Sequence, residues 1–299
     1  MYNDGRLSWF LKGVLALGYL FLYVPILSLI VYSFNASKLV TVWGGFSTRW
    51  YGSLFQNDQI ISAVLLSVKI ALASACAAVV LGTVAGFVLA RFKRFRGSTL
   101  FAGMMTAPMV MPEVITGLSM LLLFISMQQF FGAPSERGFF TIWIGHTTLC
   151  MAYVAVVVRS RLMEIDQSLE DAAMDLGARP VKIFFKITLP LVSQAIASGF
   201  LLSVTLSLDD LVTTAFLSGP GSTTLPQVIF SKVRLGLNPE INALATITVL
   251  VVGTIVIVAN YLMMNAQRKR DKAIAAAMRG DDADQQNGVG NAKAAVSLA

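Results

Sequence analysis

Six long apolar runs, separated by short polar and basic segments, set the pattern of this chain. They are Leu11–Phe34, Ile60–Ala90, Leu100–Phe131, Phe139–Val158, Leu191–Leu217 and Ile241–Met264. About 20 apolar residues suffice to cross the hydrocarbon core of a bilayer as a helix, so each run is long enough for one span. The second and third exceed that length, which predicts protruding ends or tilt. A membrane barrel would show alternation over segments of about ten residues, and these runs do not alternate. The pattern predicts an all-α, polytopic membrane protein with six transmembrane helices. The first run is too long for a signal peptide and is followed by no small-residue cleavage site. It reads as a first span, kinked at Pro25.

Composition agrees: 56% of the 299 residues are hydrophobic and 13% are charged, against roughly a quarter charged in an ordinary soluble domain. The formal charge of +7 does not indicate nucleic acid, because the basic residues sit at the ends of the apolar runs. Arg6 and Lys12 precede the first span. Arg91, Lys93, Arg94 and Arg96 fill the second-to-third loop, and Arg159, Arg161, Arg179, Lys182 and Lys186 lie between the fourth and fifth spans. Arg268, Lys269, Arg270, Lys272, Arg279 and Lys293 follow the sixth. With six spans these segments share one face, which then holds seventeen Lys and Arg against five on the other: Lys38, Arg49, Arg137, Lys232 and Arg234. That bias predicts both termini in the cytoplasm. The chain divides into a cytoplasmic N-terminus (1–10), a transmembrane domain (11–264) with a cytoplasmic loop at 159–190, and a tail (265–299). The end of the tail, from Asp281, has little to bury and reads as disordered. Cys76 and Cys150 make no metal spacing and read as packing residues.

The loop between the fourth and fifth spans carries the strongest local signal. Ser168 suits an N-cap, with Asp171 three residues on completing a capping-box-like pair. Leu169, Ala172, Ala173 and Leu176 recur at helical spacing on one face. Gly177 stands where a helix ends in the left-handed conformation, Pro180 suits the first turn of another helix, and Pro190 marks a break before the fifth span. The residues alone allow two readings. One is a surface helix pair that merely joins two spans; the other is a small-residue face that seats a partner.

Asp171-Ala172-Ala173, then Gly177, then Ile187-x-Leu189-Pro190 resembles the EAA motif of ABC importer permeases. All spacings fit, and the departure is Asp171 where glutamate is usual. The resemblance runs from about Tyr19 to Met264. Phe34–Lys38 with Phe46–Tyr51, Leu206–Asp210, Ser218–Gly221, Thr224–Pro226 and Asn238–Thr246 are similar to the spermidine/putrescine permeases, most of all to the second permease of putrescine importers. This implies a type I ABC importer permease fold in a bacterial inner membrane. It makes Asp171, Ala172, Ala173, Leu176 and Gly177 the segment that docks into a cleft on the ATPase. It also implies a second homologous permease, two ATPase subunits and a periplasmic polyamine-binding protein as partners. No cofactor is expected in this chain, ATP and magnesium being held by the ATPase.

Three acids fall inside predicted spans: Glu113, Asp209 and Asp210. At about 1.5 Å per residue all lie roughly 20–28 Å from the cytoplasmic end. An ionisable group there is costly and marks a functional hypothesis, here a path for a multiply charged cation. Each acid has a structural alternative: adjacent helix positions point about 100° apart, so Asp209 and Asp210 do not face one cavity equally, and one of them pairs with a partner chain or caps a broken helix. Lys69, at similar depth, is a candidate to neutralise one of them. Pro108 and Pro112 predict a packed kink beside Glu113, or carbonyls freed toward a cation. Trp43, Trp50 and Tyr51 read as interfacial anchors, and His146 as a packing or hydrogen-bonding residue.

No G-x-x-x-x-G-K-[ST], H-E-x-x-H, G-x-S-x-G or C-x-x-C occurs, so the sequence offers no nucleotide cradle or nucleophile–base set of those kinds. Two other functions remain open. A proton-coupled secondary transporter would use one of the three acids but needs no docking helix. An intramembrane enzyme would need the missing catalytic set.

Overall fold

The computed structural model of the protein describes residues 9–39, 42–92, 95–236, 239–261, 263–265 and 268. These form α1 Trp9–Ser33, α2 Arg49–Phe55, α3 Asp58–Arg91, α4 Ser98–Val110, α5 Glu113–Phe131 and α6 Phe139–Glu164. Then come α7 Ser168–Asp175, α8 Pro180–Ile183, α9 Leu189–Asp209, α10 Val212–Leu217 and α11 Leu225–Leu235, followed by α12 Pro239–Asn265. A π-helical turn, Phe184–Thr188, joins α8 to α9. Among the described residues there is no strand, only an isolated antiparallel bridge between Asn35 and Phe46. Among the described residues six helices are long and apolar enough to cross a membrane: α1, α3, α5, α6, the run Pro180–Asp209, and α12. The segments 1–8 and 281–299, the second read above as disordered, lie outside the described residues.

The described residues divide into two units, one up to residue 247 and one from residue 248. In the second, the described stretch from 248 to 261 is helical and exposes Val249, Leu250, Ile255 and Ile257. In the first, the core is built where α3 and α6 lie together and α9 packs on both. Ala78, Ala90, Cys150, Val154, Val158, Leu162 and Val192 form its centre. In lipid there is little hydrophobic drive between helices, so close backbone approach through small residues carries the packing. A Cβ at Gly82 would lie 2.6 Å from Val154 Cβ, and one at Gly86 would lie 2.7 Å from the Ala155 carbonyl oxygen. The obstacle at Gly86 is backbone and cannot swing aside. Gly86→Val is therefore expected to destabilise the chain by about 1–3 kcal/mol, read as an earlier midpoint in a denaturing-detergent titration followed by circular dichroism.

Two spans are broken. The third apolar run, expected as one helix, divides at Met111–Pro112 into α4 and α5. Met111 is extended (φ −74°, ψ 139°), as the residue before a proline must be to clear its ring. The fifth run also extends and breaks differently from expectation. Its helix continues straight through Pro190, because the preceding π turn, closed by Leu189 N–H to the Phe184 carbonyl, widens the backbone ahead of the ring. It stops instead at Asp210 (φ −68°, ψ 111°). In the first run, α1 continues through Pro25 to Ser33.

The segment after α1 is folded on itself. Asn35 is buried; its Oδ1 accepts the Ser37 and Gly44 N–H groups at 3.1 and 2.8 Å, and its Nδ2 donates to the Val42 carbonyl at 2.8 Å. Trp50 Nε1 donates to the Asn35 carbonyl at 2.7 Å, and the Tyr51 hydroxyl meets Ser33 Oγ at 2.7 Å. These two aromatics tie the segment to the end of α1, a structural task beyond the anchoring expected of them.

Candidate functional site

The α6–α9 connection is a short helix, a tight turn and a second helix. Gly177 has φ +80°, a conformation costing other residues roughly 1–2 kcal/mol. The turn closes through Gly177 N–H to the Met174 carbonyl and Ala178 N–H to the Ala173 carbonyl, and Pro180 then opens α8. The expected cap is not formed by Ser168, which is already the first helical residue. Asp166 takes the role two residues earlier: its Oδ1 accepts the Ser168 N–H at 2.9 Å. That backbone bond, with help from the Ser168 hydroxyl, holds the exposed Asp166 carboxyl below the usual range.

Asp171, Ala172, Leu176 and Gly177 are exposed, and Ala173 is half-buried. Leu169, Met174, Leu176, Val181 and Phe185 add an apolar surface, with Leu176 89% exposed. This surface is held from behind by a residue that pattern reasoning missed. Glu170 is buried, and its Oε1 receives three donors: Arg91 Nη2 at 2.9 Å, Arg91 Nε at 3.1 Å and the Thr188 hydroxyl at 2.9 Å. Arg91 also donates Nη1 to the Leu162 carbonyl at 3.1 Å. The ends of α3 and α6, the π turn and α7 are thereby pinned at one carboxylate. The available signal was an acid at a helix start with its neighbours on the exposed face, and basic Arg91 closing a long apolar run.

The three acids lie at the two helix breaks. Glu113 is the first residue of α5 and is exposed; Asp209 is the last of α9 and is exposed; Asp210, between α9 and α10, is buried. The breaks are neighbours, because α5 packs on α10: a Cβ at Gly117 would lie 2.7 Å from Phe216 and 3.4 Å from Thr213 Cα. One turn before Gly117 is Glu113, and just before Thr213 are Asp209 and Asp210. Asp210 Oδ1 accepts the Thr213 and Thr214 N–H groups at 2.8 and 3.4 Å, and so caps α10. Its Oδ2 lies 3.4 Å from His146 Nε2. Of the two roles weighed for the adjacent acids, Asp210 takes the cap and Asp209 stays open.

Among the described residues no ion pair includes Lys69, Glu113 or Asp209. Lys69 instead lines an open cavity of about 440 Å³ with Gln59, Ser62, Leu65, Leu66, Gly221 and Thr223. No group of three or more His, Cys, Asp or Glu side chains placed for a metal ion occurs among the described residues.

Residues 78–272 match the family described as binding-protein-dependent transport system inner membrane component. The chain is 59% identical over 267 residues to the putrescine transport system permease protein PotI of Escherichia coli K12, covering 89% of this chain and 95% of that one. It is 39% identical over 257 residues to the spermidine/putrescine transport system permease protein PotC of the same organism, covering 86% and 94%. In fold it is similar to a chain of a bacterial ABC transporter that imports the acidic polysaccharide alginate, with a TM-score of 0.65 at 18% identity over 85% of this chain and 94% of that one. A chain of the methionine transporter MetNI matches with a TM-score of 0.54 at 18% identity, over 69% and 95%. The six apolar helices, the EAA-like elbow and these matches agree: the chain belongs to the family of binding-protein-dependent transport system inner membrane components, as a multi-pass permease subunit of an ABC importer.

Proposed function

We propose that this permease forms part of the path by which an ATP-driven importer carries putrescine, together with a second, homologous permease. The observation that carries this reading is the 59% identity, over 89% of the chain, to a putrescine permease. Two ATPase subunits hold ATP and magnesium and clamp on the exposed face of α7, where Asp171, Ala172, Ala173, Leu176 and Gly177 seat in their cleft. A periplasmic polyamine-binding protein delivers the substrate on the other side. Both termini lie in the cytoplasm on this reading, which the bias of Lys and Arg toward the α7 side supports.

Glu113 and Asp209 face the substrate path. A diamine cation crossing a low-dielectric interior needs carboxylates to replace part of its hydration. The paired breaks supply two that pair with no cation among the described residues. Asp210 supports the path from behind, as the cap of α10. The α7 elbow converts ATPase closure into rigid-body movement of the spans it is pinned to.

The test is co-reconstitution of the permease with its neighbouring gene products in liposomes. Putrescine, presented by the binding protein, is expected to stimulate ATP hydrolysis and to be accumulated inside. Stimulation by amino acids or sugars and not by polyamines would overturn the substrate. Uptake driven by a proton gradient without ATP would favour the secondary-transporter alternative.

A further inference from the structure

The break in the fifth span is bridged by a side chain from the fourth. His146 is 2% exposed. Its Nδ1 meets the Ser207 hydroxyl of α9 at 2.6 Å, and its Nε2 meets the Thr214 hydroxyl of α10 at 3.0 Å. One ring therefore holds one side chain on each side of the break, while Asp210, the residue at the break, lies 3.4 Å from Nε2. Thr214 donates its hydroxyl proton to the Asp210 carbonyl at 3.1 Å, so it accepts from Nε2–H, and Ser207 then donates to Nδ1. The Ser74 hydroxyl lies 3.2 Å from Ser207 and donates to the Ile70 carbonyl at 2.7 Å. Each ring nitrogen thus has a distinct task that no aliphatic or single-headed polar side chain can duplicate.

We propose that His146 is a positioning residue that splints the broken fifth span, fixing the angle between α9 and α10 and, through it, the place of Asp209 beside Glu113. Asp210 and Leu211 leave the helix, and α10 is only six residues long, too short to be stable alone. Its far end is held by the burial of Leu217 against Ile70, Phe124 and Ile142 and by the Thr141 hydroxyl, which donates to the Leu217 carbonyl at 2.7 Å. At the break itself the carboxylate cap satisfies the first N–H groups of α10 but makes no bond to α9. The imidazole supplies that link, because its two nitrogens are separated by a rigid ring and each is bonded to a different half. Packing adds a wall on one side: a Cβ at Gly145 would run into Leu217, so α6 touches α10 at the neighbouring position as well.

The effect on transport rests on the reading that Asp209 faces the path, and the test separates the two. Spin labels are placed at Thr205 and Ala215, both exposed and on opposite sides of the break, in the assembled complex with Cys76 replaced by serine. Dipolar broadening then reports their separation. With His146 present a narrow distribution is expected. His146→Ala should widen it, and raise the KM for putrescine uptake about 5–10-fold with a smaller change in kcat. The pair Ser207→Ala and Thr214→Val, which removes both contacts and keeps the ring, should give the same widening and serves if His146→Ala fails to assemble. An unchanged, narrow distribution in either variant overturns the splint. A widened distribution with unchanged KM upholds the splint and removes Asp209 from the path.

Discussion

Replacing Glu170 with alanine is expected to abolish putrescine-stimulated ATP hydrolysis in the assembled transporter and to lower the stability of the permease by about 3–5 kcal/mol. The reason is the convergence on one oxygen. Glu170 and Arg91 have side chains 11% and 10% exposed, so removing the carboxylate strands a buried guanidinium and leaves the Thr188 hydroxyl without its acceptor. Leaving one member of such a pair alone costs more than the pair itself contributes. Losing both partners together is milder, and the double change Arg91→Met, Glu170→Met should recover much of the stability. It should not recover coupling, because α7 is then no longer pinned to α3 and the π turn. Unfolding titrations and ATPase rates of the two variants measure the two quantities separately. A stable double variant with full putrescine-stimulated hydrolysis would show that the clasp is only structural.

The second large effect is expected at the breaks. Asp209→Asn should lower kcat/KM for putrescine uptake roughly tenfold or more while the complex still assembles. A carboxylate and a cation about 4 Å apart attract by about 1 kcal/mol in water and about 4 kcal/mol at an effective dielectric of 20. The path lies between those limits, and each 1.4 kcal/mol is about tenfold. Asp210→Asn should have a smaller effect, because the amide oxygen still accepts the Thr213 N–H. Uptake in liposomes, with purification of the intact complex as control, measures both. Unchanged uptake in both variants would remove the acids from the path.

Much of this architecture is legible in the residues. Length and apolarity alone place six spans, since lipid demands that each be a self-satisfied helix. Gly177 announces its own left-handed turn, and Pro180 its helix start. What hydropathy does not carry is continuity. The third and fifth runs are apolar on average, yet Pro112 and Asp210 divide them, because a break depends on local backbone chemistry that an apolarity average does not register. Pro190, just ahead of the fifth run, misleads in the other direction: it looks like a stop, and the backbone accommodates it. The roles of Glu170 and Asp210 were hidden for a different reason. Their partners Arg91, Thr188 and His146 lie 79, 18 and 64 positions away along the chain, and only packing brings them within reach. The cap shows the same limit at short range: the sequence points to Ser168, and the structure shifts the role two residues to Asp166.

The π turn at Phe184–Thr188 has a geometric corollary for how force would pass along the fifth span. A turn with one residue more than its α-helical neighbours changes the phase of everything beyond it by about 100°. Thr188 closes that turn, and Val192, Gly199 and Ser203 follow it on the same side at helical spacing. The side of the rod that meets Glu170 is therefore the side that runs on into the interhelical seam, and it is the residues ahead of the turn that are set off in azimuth. A load taken up at the elbow is handed to the buried side of the shaft.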